Sequence, residues 1–368
     1  RGASAARRGA WCAMHTHSGR GVAESARASR SVAHAAADIG PSLSAAVGIS
    51  GSVAAVGISG SVASAAAPDG HSPGRGERKR PSQGDAVQAV AFSGPAGGLV
   101  DIGVNLVDRS YEKDRGEVIA RAQAVGVSAM VVTGTCVRTS TAACRLAEGS
   151  TDYPLYFTAG VHPHNAKTCN KDTLARLTEL ASSTKCVAIG ECGLDFNRNF
   201  SKPEVQIQWF DEQIKLAKSL GKPLFLHCRD AADDFAALLA SHAPLGVPAV
   251  VHCFTGSGAE LARFLDMGMY IGVTGWVCDD RPERGGAELA ALLQSIPPDR
   301  LMIETDAPYL TPRTIKPSRA RPGRNEPALL PHVLRAVAAA VGKPEADVAR
   351  ETCDVARAVF GIPLPRAS

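Results

Sequence analysis

Short apolar runs rich in β-formers alternate with longer stretches of helical periodicity from Gly98 onwards. The clearest helical pattern covers Glu204 to Leu220, where apolar residues recur three and four positions apart, with Pro203 at its start and Gly221 just past its end. The apolar runs predict eight strands: Leu99 to Val104, Ala129 to Thr133, Leu155 to Gly160, Val187 to Gly190, Pro223 to His227, Pro248 to His252, Met269 to Val273 and Leu301 to Thr305. Such alternation indicates repeated βα units and a parallel sheet.

Eight βα units in the 265 residues from 98 to 362 predict an α/β fold of the (β/α)8 TIM barrel type, whose usual size is roughly 250 residues. A doubly wound open sheet is the alternative. That fold more often carries a glycine-rich phosphate-binding turn after its first strand, and the segment Asp101 to Asn105 has no such pattern.

Residues 1–97 differ in composition, being dominated by Ala, Ser and Gly, and the unit AVGISGSVA occurs twice, at 46–54 and 55–63. With hardly an aromatic residue, this segment cannot bury enough apolar area to offset its ordering entropy, so a disordered N-terminal extension is expected beside a barrel domain at 98–368. Six arginines and one acid in the first 37 residues are compatible with a transit peptide, or equally with low-complexity sequence without an addressing role.

The formal charge of +4 belongs to the extension. Residues 1–97 hold ten Lys/Arg against five Asp/Glu, which leaves thirty against thirty-one for residues 98–368. A near-neutral body cannot bind a polyanion through bulk charge, so a nucleic-acid site would need a local cationic cluster or bound metal ions. No run of eighteen apolar residues occurs, which predicts a soluble protein without a membrane partner.

Ten cysteines are scattered along the chain without a CxxC pair, which is typical of reduced core cysteines. A reducing compartment follows, namely cytoplasm or nucleus, or an organelle (mitochondrion or chloroplast) if the extension is a transit peptide. Cys192, Cys228 and Cys253 each follow a candidate ligand by one position, and on a strand this predicts packing on the opposite face rather than metal binding.

Polar residues end the apolar runs repeatedly, and in a barrel the active site lies at the carboxyl ends of the strands. His227 and His252 end two predicted strands, while Glu191 and Asp306 follow two others. Imidazole and carboxylate groups converging on one barrel mouth suit divalent ions such as Zn, Mn or Mg. The sequence therefore predicts a metal site.

Six segments at these strand ends together resemble the TatD family of metal-dependent deoxyribonucleases, within the amidohydrolase-like barrels. They are GVHPH (160–164), IGECGLD (189–195), LHCRD (226–230), VHCFTG (251–256), IETDAPYL (303–310) and RNEP (324–327). The resemblance covers residues 98–362 and implies a 3′ to 5′ exonuclease acting on single-stranded DNA or RNA, with Mg or Mn as the working ion and Zn as an alternative.

Residue by residue, the resemblance implies that Glu191, His227, His252 and Asp306 are metal ligands. It also implies that Asp306 orients or deprotonates the attacking water and that His162 lines the site, so that Asp306, Glu191 and His162 form the catalytic set. Elementary chemistry agrees, because phosphodiester hydrolysis needs an activated water and relief of phosphoryl charge, and a metal with a neighbouring carboxylate supplies both.

Substrate binding needs positive charge near the mouth. Five cations follow Asp306 before the next acid: Arg313, Lys316, Arg319, Arg321 and Arg324. We expect phosphate contacts from Arg319, Arg321 and Arg324, with Arg229 as a further candidate. A solvated basic loop is the alternative. Trp276, after the seventh strand, is the predicted base-stacking residue, whereas Trp209 lies on a helical apolar stripe and is expected in the core.

The first strand departs from the family pattern, in which many members carry an HxH pair after an Asp. Gly103 and Asn105 stand at those two positions after Asp101. Since neither offers an imidazole, we expect one tightly held ion and a second, Mg or Mn, that is recruited with the substrate phosphate. If two ions bind equally tightly, His162 or His164 would have to replace the missing pair.

Two other functions remain open on the sequence. A metal-dependent amidohydrolase acting on a small amide, ester or lactone would use the same barrel, although a neutral substrate has no use for the cationic loop. An inactive barrel scaffold would be expected to lose metal ligands, and all four are present. No obligate protein partner is indicated.

Overall fold

The computed structural model describes residues 98–363. Eight strands form one sheet in the order β1 to β8, and each pairs in parallel with its sequence neighbour. They are β1 (Leu99–Val104), β2 (Val127–Val132), β3 (Leu155–Ala159), β4 (Cys186–Asp195), β5 (Leu224–Arg229), β6 (Ala249–Val251), β7 (Tyr270–Val273) and β8 (Leu301–Ile303). The residues after β8 return to β1, since Asp306 N donates to Gly103 O at 2.9 Å and Asn105 N to Ala307 O at 2.8 Å. The barrel prediction is confirmed, and the open-sheet alternative is wrong.

Helices separate the strands on the outside of the barrel. Within residues 98–363 these are α1 (Arg115–Ala124), α2 (Val137–Glu148), α3 (Thr173–Ala181), α4 (Pro203–Leu220), α5 (Ala232–Ser241), α6 (Gly258–Asp266), α7 (Gly286–Leu292), α8 (Leu330–Val341) and α9 (Glu345–Phe360). The pattern-based helix at 204–220 is α4, which has Pro203 in its first turn and ends at Gly221, whose φ of 61° is left-handed.

Strand β4 is longer than predicted, because two glycines allow it to continue past residue 190. Gly190 and Gly193 have φ near 143° and 142°, a region that other residues rarely adopt. A Cβ on either glycine would collide with a carbonyl oxygen of β5, that of Phe225 or His227. The close approach pairs Gly193 with His227 and so brings Glu191 beside β5.

The core has two layers because strand residues alternate between the barrel interior and the helices. Val100 and Ile102 of β1 pack inside the barrel, whereas Leu99 packs outward. Helix α9 closes the amino end of the barrel with Val359 and Phe360. The opposite end, where the strands finish, is therefore the end available for a site.

The expectations for residues 1–97, including the repeated unit and the transit peptide, lie outside the described residues. The nine cysteines among residues 98–363 are all free thiols, as expected for reduced cysteines. No helix in this part of the chain combines the length and apolarity needed to cross a membrane.

Candidate active site

Three imidazoles converge on one carboxylate oxygen at the carboxyl ends of β3 to β6. Glu191 Oε1 lies 2.8 Å from His252 Nε2, 3.0 Å from His227 Nδ1 and 3.3 Å from His162 Nε2. All four side chains face one cavity of about 590 Å³. The structure thus brings together four strand-end residues that are separated by up to 90 positions in sequence.

Helix α4 fixes two of the loops that carry these groups, through buried glutamines. Gln213 Oε1 accepts the Val161 N–H at 2.7 Å, and its Nε2 donates to Val161 O at 3.1 Å. Gln206 forms the same pair of bonds with the backbone of Asp195, at 2.8 and 3.0 Å. Because each amide is clamped at both ends, the backbone beside His162 and the end of β4 are held rigidly.

The charge of Glu191 is balanced by its imidazole neighbours. Burial alone would raise the pKa of Glu191, but His252 and His162 outweigh burial and hold it well below its usual range. Burial opposes a charge on His252 as well, yet Glu191 and Glu304 together raise its pKa well above the usual value. This part of the site therefore carries ionised groups that neutralise one another.

His162 differs from the other two histidines in the hydrogen bond that its ring accepts. Its Nδ1 accepts the backbone N–H of His164 at 3.0 Å, so the proton of the neutral ring is on Nε2, which faces Glu191. Burial lowers the pKa of His162 to about 4, which keeps the ring neutral. His162 therefore acts as a hydrogen-bond donor into the cavity.

Two carboxylates that the sequence analysis assigned no role hold the other histidines. Asp195 Oδ2 lies 2.8 Å from His164 Nε2 and 3.4 Å from His227 Nε2. Glu304 lies at the end of β8, where its Oε2 is 3.4 Å from His252 Nδ1 and its Oε1 accepts the Cys253 N–H at 2.6 Å. Carboxylates behind histidines orient the rings and select the tautomer, as around many metal sites.

The segments after β8 and β1 form the other half of the mouth and supply oxygen rather than nitrogen. Asp306 Oδ1 accepts the amide of Asn105 at 3.0 Å. Burial raises the pKa of Asp306 to about 7, and Glu191 and Glu304 add to that rise against the opposing effect of His252. A Cβ at Gly103 would collide with Glu304 Oε2, so a carboxylate occupies the space that a side chain at position 103 would need.

The donor set fits a metal ion. His162, Glu191 and His227 each offer an atom, and these atoms lie within 4.8 Å of one another. His227 Nε2 is buried without a hydrogen-bond partner in residues 98–363, which is rare for a buried imidazole and is relieved by a cation. Of the predicted ligands, His252 shares Glu191 with these groups, whereas Asp306 lines the same cavity from the opposite half.

Five arginines line this cavity, and none of them forms an ion pair within residues 98–363. They are Arg109, Arg138, Arg198, Arg229 and Arg284, contributed by the loops after β1, β2, β4 and β7 and by the end of β5. Unpaired cations around a metal-ligand cluster suit a polyanionic substrate. Sequence reasoning identified Arg229 alone, although the position of each arginine after a strand end could have signalled all five.

The cationic loop after β8 is arranged differently. Arg324 binds Asp114 through two hydrogen bonds of 2.9 and 2.6 Å, and its guanidinium lies 4.4 Å from the Tyr111 ring centre. Arg321 donates to Ile315 O at 3.0 Å. Nearby, Arg313 and Lys316 both pair with Asp280, at 2.8 and 2.7 Å. The structure does not bring Arg319, Arg321 or Arg324 to the cavity.

Trp276 lines the cavity, as a stacking residue would, and the Arg284 guanidinium lies 4.7 Å from its ring centre. Trp209 is half-buried on α4 and away from the cavity. Cys192 packs in the core, but Cys228 and Cys253 line the cavity, because β5 and β6 turn sharply there and Cys253 has a φ of 46°. Burial raises the pKa of Cys228 to about 12, so its thiol stays protonated.

A (β/α)8 barrel with imidazoles and carboxylates at its strand ends defines the class of metal-dependent hydrolase barrels. A model of the family described as TatD related DNase matches residues 100–361. A protein of Erwinia amylovora named 3'-5' ssDNA/RNA exonuclease TatD is 48% identical over 264 residues, which are 72% of this chain and 100% of that protein. One of the same name from Cronobacter turicensis is 52% identical over 240 residues, covering 65% of this chain and 89% of that protein.

Solved structures agree. YJJV, a TATD homolog from Escherichia coli k12, superposes with a TM-score of 0.65 at 28% identity, covering 72% of this chain and 98% of that chain. A hydrolase of the TatD family from Entamoeba histolytica gives a TM-score of 0.64 at 27% identity, with the same coverage. This chain belongs to the TatD related DNase family.

Proposed function

We propose that this protein is a metal-dependent nuclease that removes nucleotides from the 3′ end of single-stranded DNA or RNA. The convergence of three imidazoles on Glu191 within a cavity lined by five unpaired arginines carries this proposal. The relatives named 3'-5' ssDNA/RNA exonuclease TatD support the polarity and the substrate class.

Glu191, His227 and His252 would hold one divalent ion, and Asp306 would complete a second position beside it. Such ions lower the pKa of a bound water and neutralise charge on the phosphoryl oxygens. The oxygen donors of Asp306 and Asn105 favour Mg or Mn, which accept carboxylate, amide and phosphate oxygens.

The protein residues divide the remaining work. Asp306 has the position and the raised pKa of a general base, since a carboxylate with a pKa of about 7 can take a proton from water near neutral pH. His162 Nε2 donates a hydrogen bond to the phosphoryl oxygen, because its Nδ1 is already an acceptor. The arginines bind the flanking phosphates.

The test is incubation of the full chain with 5′-labelled single-stranded DNA and Mg or Mn, with product lengths resolved over time. Stepwise shortening from the 3′ end that EDTA abolishes is the expected result. Closed circular single strands are the matched control, because cleavage of circles at the same rate would contradict an exonuclease.

Hydrolysis of a small amide, ester or lactone is the competing activity for this barrel. The unpaired arginines argue against it, since a neutral substrate gains nothing from them. The nine free thiols support residence in a reducing compartment.

A further inference from the structure

A smaller cavity of about 280 Å³ opens beside the central one, at the ends of β5 and β6. We refer to it as the flanking cavity. Four residues line both spaces, which makes them continuous: Cys228, Arg229, Thr255 and Trp276. The remaining wall includes Asn197, Asp230 and Glu260. Its volume is close to the lower end of the range for small-molecule pockets, roughly 300 Å³, and therefore suits one nucleoside better than a length of strand.

The flanking cavity has the opposite charge to the central one. Asp230 Oδ2 accepts the amide of Asn197 at 2.6 Å, and Glu260 Oε2 accepts the backbone N–H of Ser257 at 2.6 Å. Neither carboxylate forms an ion pair with any residue in the described part of the chain. Arg229 is the one cation on this wall. A phosphate group is therefore repelled here, while the unpaired arginines of the central cavity attract it.

Across the mouth, near the ends of β2 and β3, a third cavity of about 430 Å³ shares Arg138 and Asn165 with the central one. Arg138 is exposed and has no acidic partner within residues 98–363. This side of the mouth can therefore accept further phosphates, in contrast to the side that Asp230 and Glu260 line.

The two sides match the two sides of a terminal phosphodiester. On the 5′ side of the scissile bond, each nucleotide adds a phosphate. On the 3′ side of the last linkage there is a single nucleoside with a hydroxyl group. Trp276 offers that nucleoside an aromatic face, and the carboxylates can accept a hydrogen bond from its hydroxyl.

On the basis of the proposed function, we infer that the flanking cavity receives the 3′-terminal nucleoside, and that Asp230 and Glu260 select a 3′-hydroxyl end against a 3′-phosphate or a continuing strand. Arg229 and Trp276, which line both cavities, then stand at the boundary where the scissile phosphate lies. Charge repulsion beyond that boundary makes the enzyme act at ends.

The test replaces both carboxylates by amides, Asp230→Asn with Glu260→Gln. Each amide oxygen can still accept the existing hydrogen bond, so the change removes charge with little effect on shape. Rates are measured on oligodeoxynucleotides that end in a 3′-hydroxyl or a 3′-phosphate, and binding of both is measured in EDTA. We expect the variant to raise kcat/KM on the 3′-phosphate roughly tenfold, because two charges near a phosphate are removed, and to change it little on the 3′-hydroxyl. Binding of the 3′-phosphate in EDTA should tighten in parallel.

Asp234→Asn with Glu288→Gln is the matched control, since it removes two exposed carboxylates outside the cavity and should leave the end preference unchanged. Added salt should narrow the wild-type preference, because it screens the repulsion. Equal use of both ends by the wild type, or the same preference in the double variant, would overturn this inference while the nuclease assignment stands. Absence of metal-dependent cleavage of 3′-hydroxyl ends would overturn both.

Discussion

The two halves of the barrel mouth solve different electrostatic problems. In the half built by β3 to β6, the imidazoles of His162, His227 and His252 surround Glu191. In the half built by β8 and β1, Asp306 has the neutral amide of Asn105 as its nearest hydrogen-bond donor. The first half is balanced by its own residues, and the second lacks a cation.

The pKa values express this difference. The pKa of Glu191 lies well below its usual range because the imidazoles outweigh burial, whereas burial raises the pKa of Asp306 to about 7. A cation that binds beside Asp306 therefore supplies what that half is missing. Because the donors there are oxygens, we expect a hard ion that binds weakly until a substrate phosphate adds further oxygens.

The largest effect expected from breaking the balanced half comes from Glu191→Gln. The amide cannot replace a carboxylate shared by three imidazoles, so the metal is lost together with several kcal/mol of transition-state stabilisation, or roughly a thousandfold in rate. Single-turnover cleavage of end-labelled DNA measures the effect. Glu112→Gln, on an exposed residue, is the control, and a loss below tenfold in the Glu191 variant would contradict the assignment.

Asp306→Asn tests whether the other half is separate. We expect the rate to fall by about a hundredfold through loss of the base and of one oxygen ligand, while the imidazole half still binds one ion. Metal titration by calorimetry, with and without DNA, separates the two effects. If the variant binds no metal at all, the halves are not independent.

The first strand offers a way to convert the oxygen half. Asn105→His adds an imidazole beside Asp306 and should tighten the second ion roughly tenfold. Gly103→His should not do the same, because its Cβ would collide with Glu304 and disturb the support of His252. Titration of Mn without DNA compares the two variants. Equal tightening by both would show that Glu304 moves aside freely.

The substrate cations provide a smaller, graded test. Arg138→Ala with Arg198→Ala should reduce the salt slope of single-strand binding by about 1.4, from about 0.7 for each lost phosphate contact. Arg319, Arg321 and Arg324, the contacts predicted from sequence, provide the comparison variant. We expect a smaller change from that triple replacement, because Arg321 and Arg324 are already hydrogen-bonded elsewhere. A larger change would return the phosphate contacts to the loop after β8.

Sequence periodicity sufficed for the barrel, because each strand and helix buries its own face. It also identified Glu191, His227, His252 and Asp306 as strand-end residues. It could not show that Glu304 fills the space beside Gly103, since that contact joins residues 201 positions apart. Nor could it separate unpaired arginines from paired ones: the acid that neutralises Arg324 is Asp114, 210 positions away.

The smallest predicted effect is on stability without metal, and here the two halves should respond to pH with opposite sign. The pKa of Asp306 is about 7 in the folded state against a usual 3.8, so its contribution to stability is complete below pH 3.8 and is lost as the pH rises through 7. His162, with a folded pKa of about 4 against 6.5, contributes above pH 6.5 and loses that contribution as the pH falls towards 4. Asp306→Asn cannot ionise, so in EDTA the free energy of unfolding of the variant should exceed that of the wild type increasingly between pH 4 and 7, by at most about 1.4 kcal/mol per pH unit. Urea unfolding across this range measures the difference. Saturating Mn should reverse its sign, because the metal selects the carboxylate, and an unchanged sign would mean that the ion does not reach Asp306.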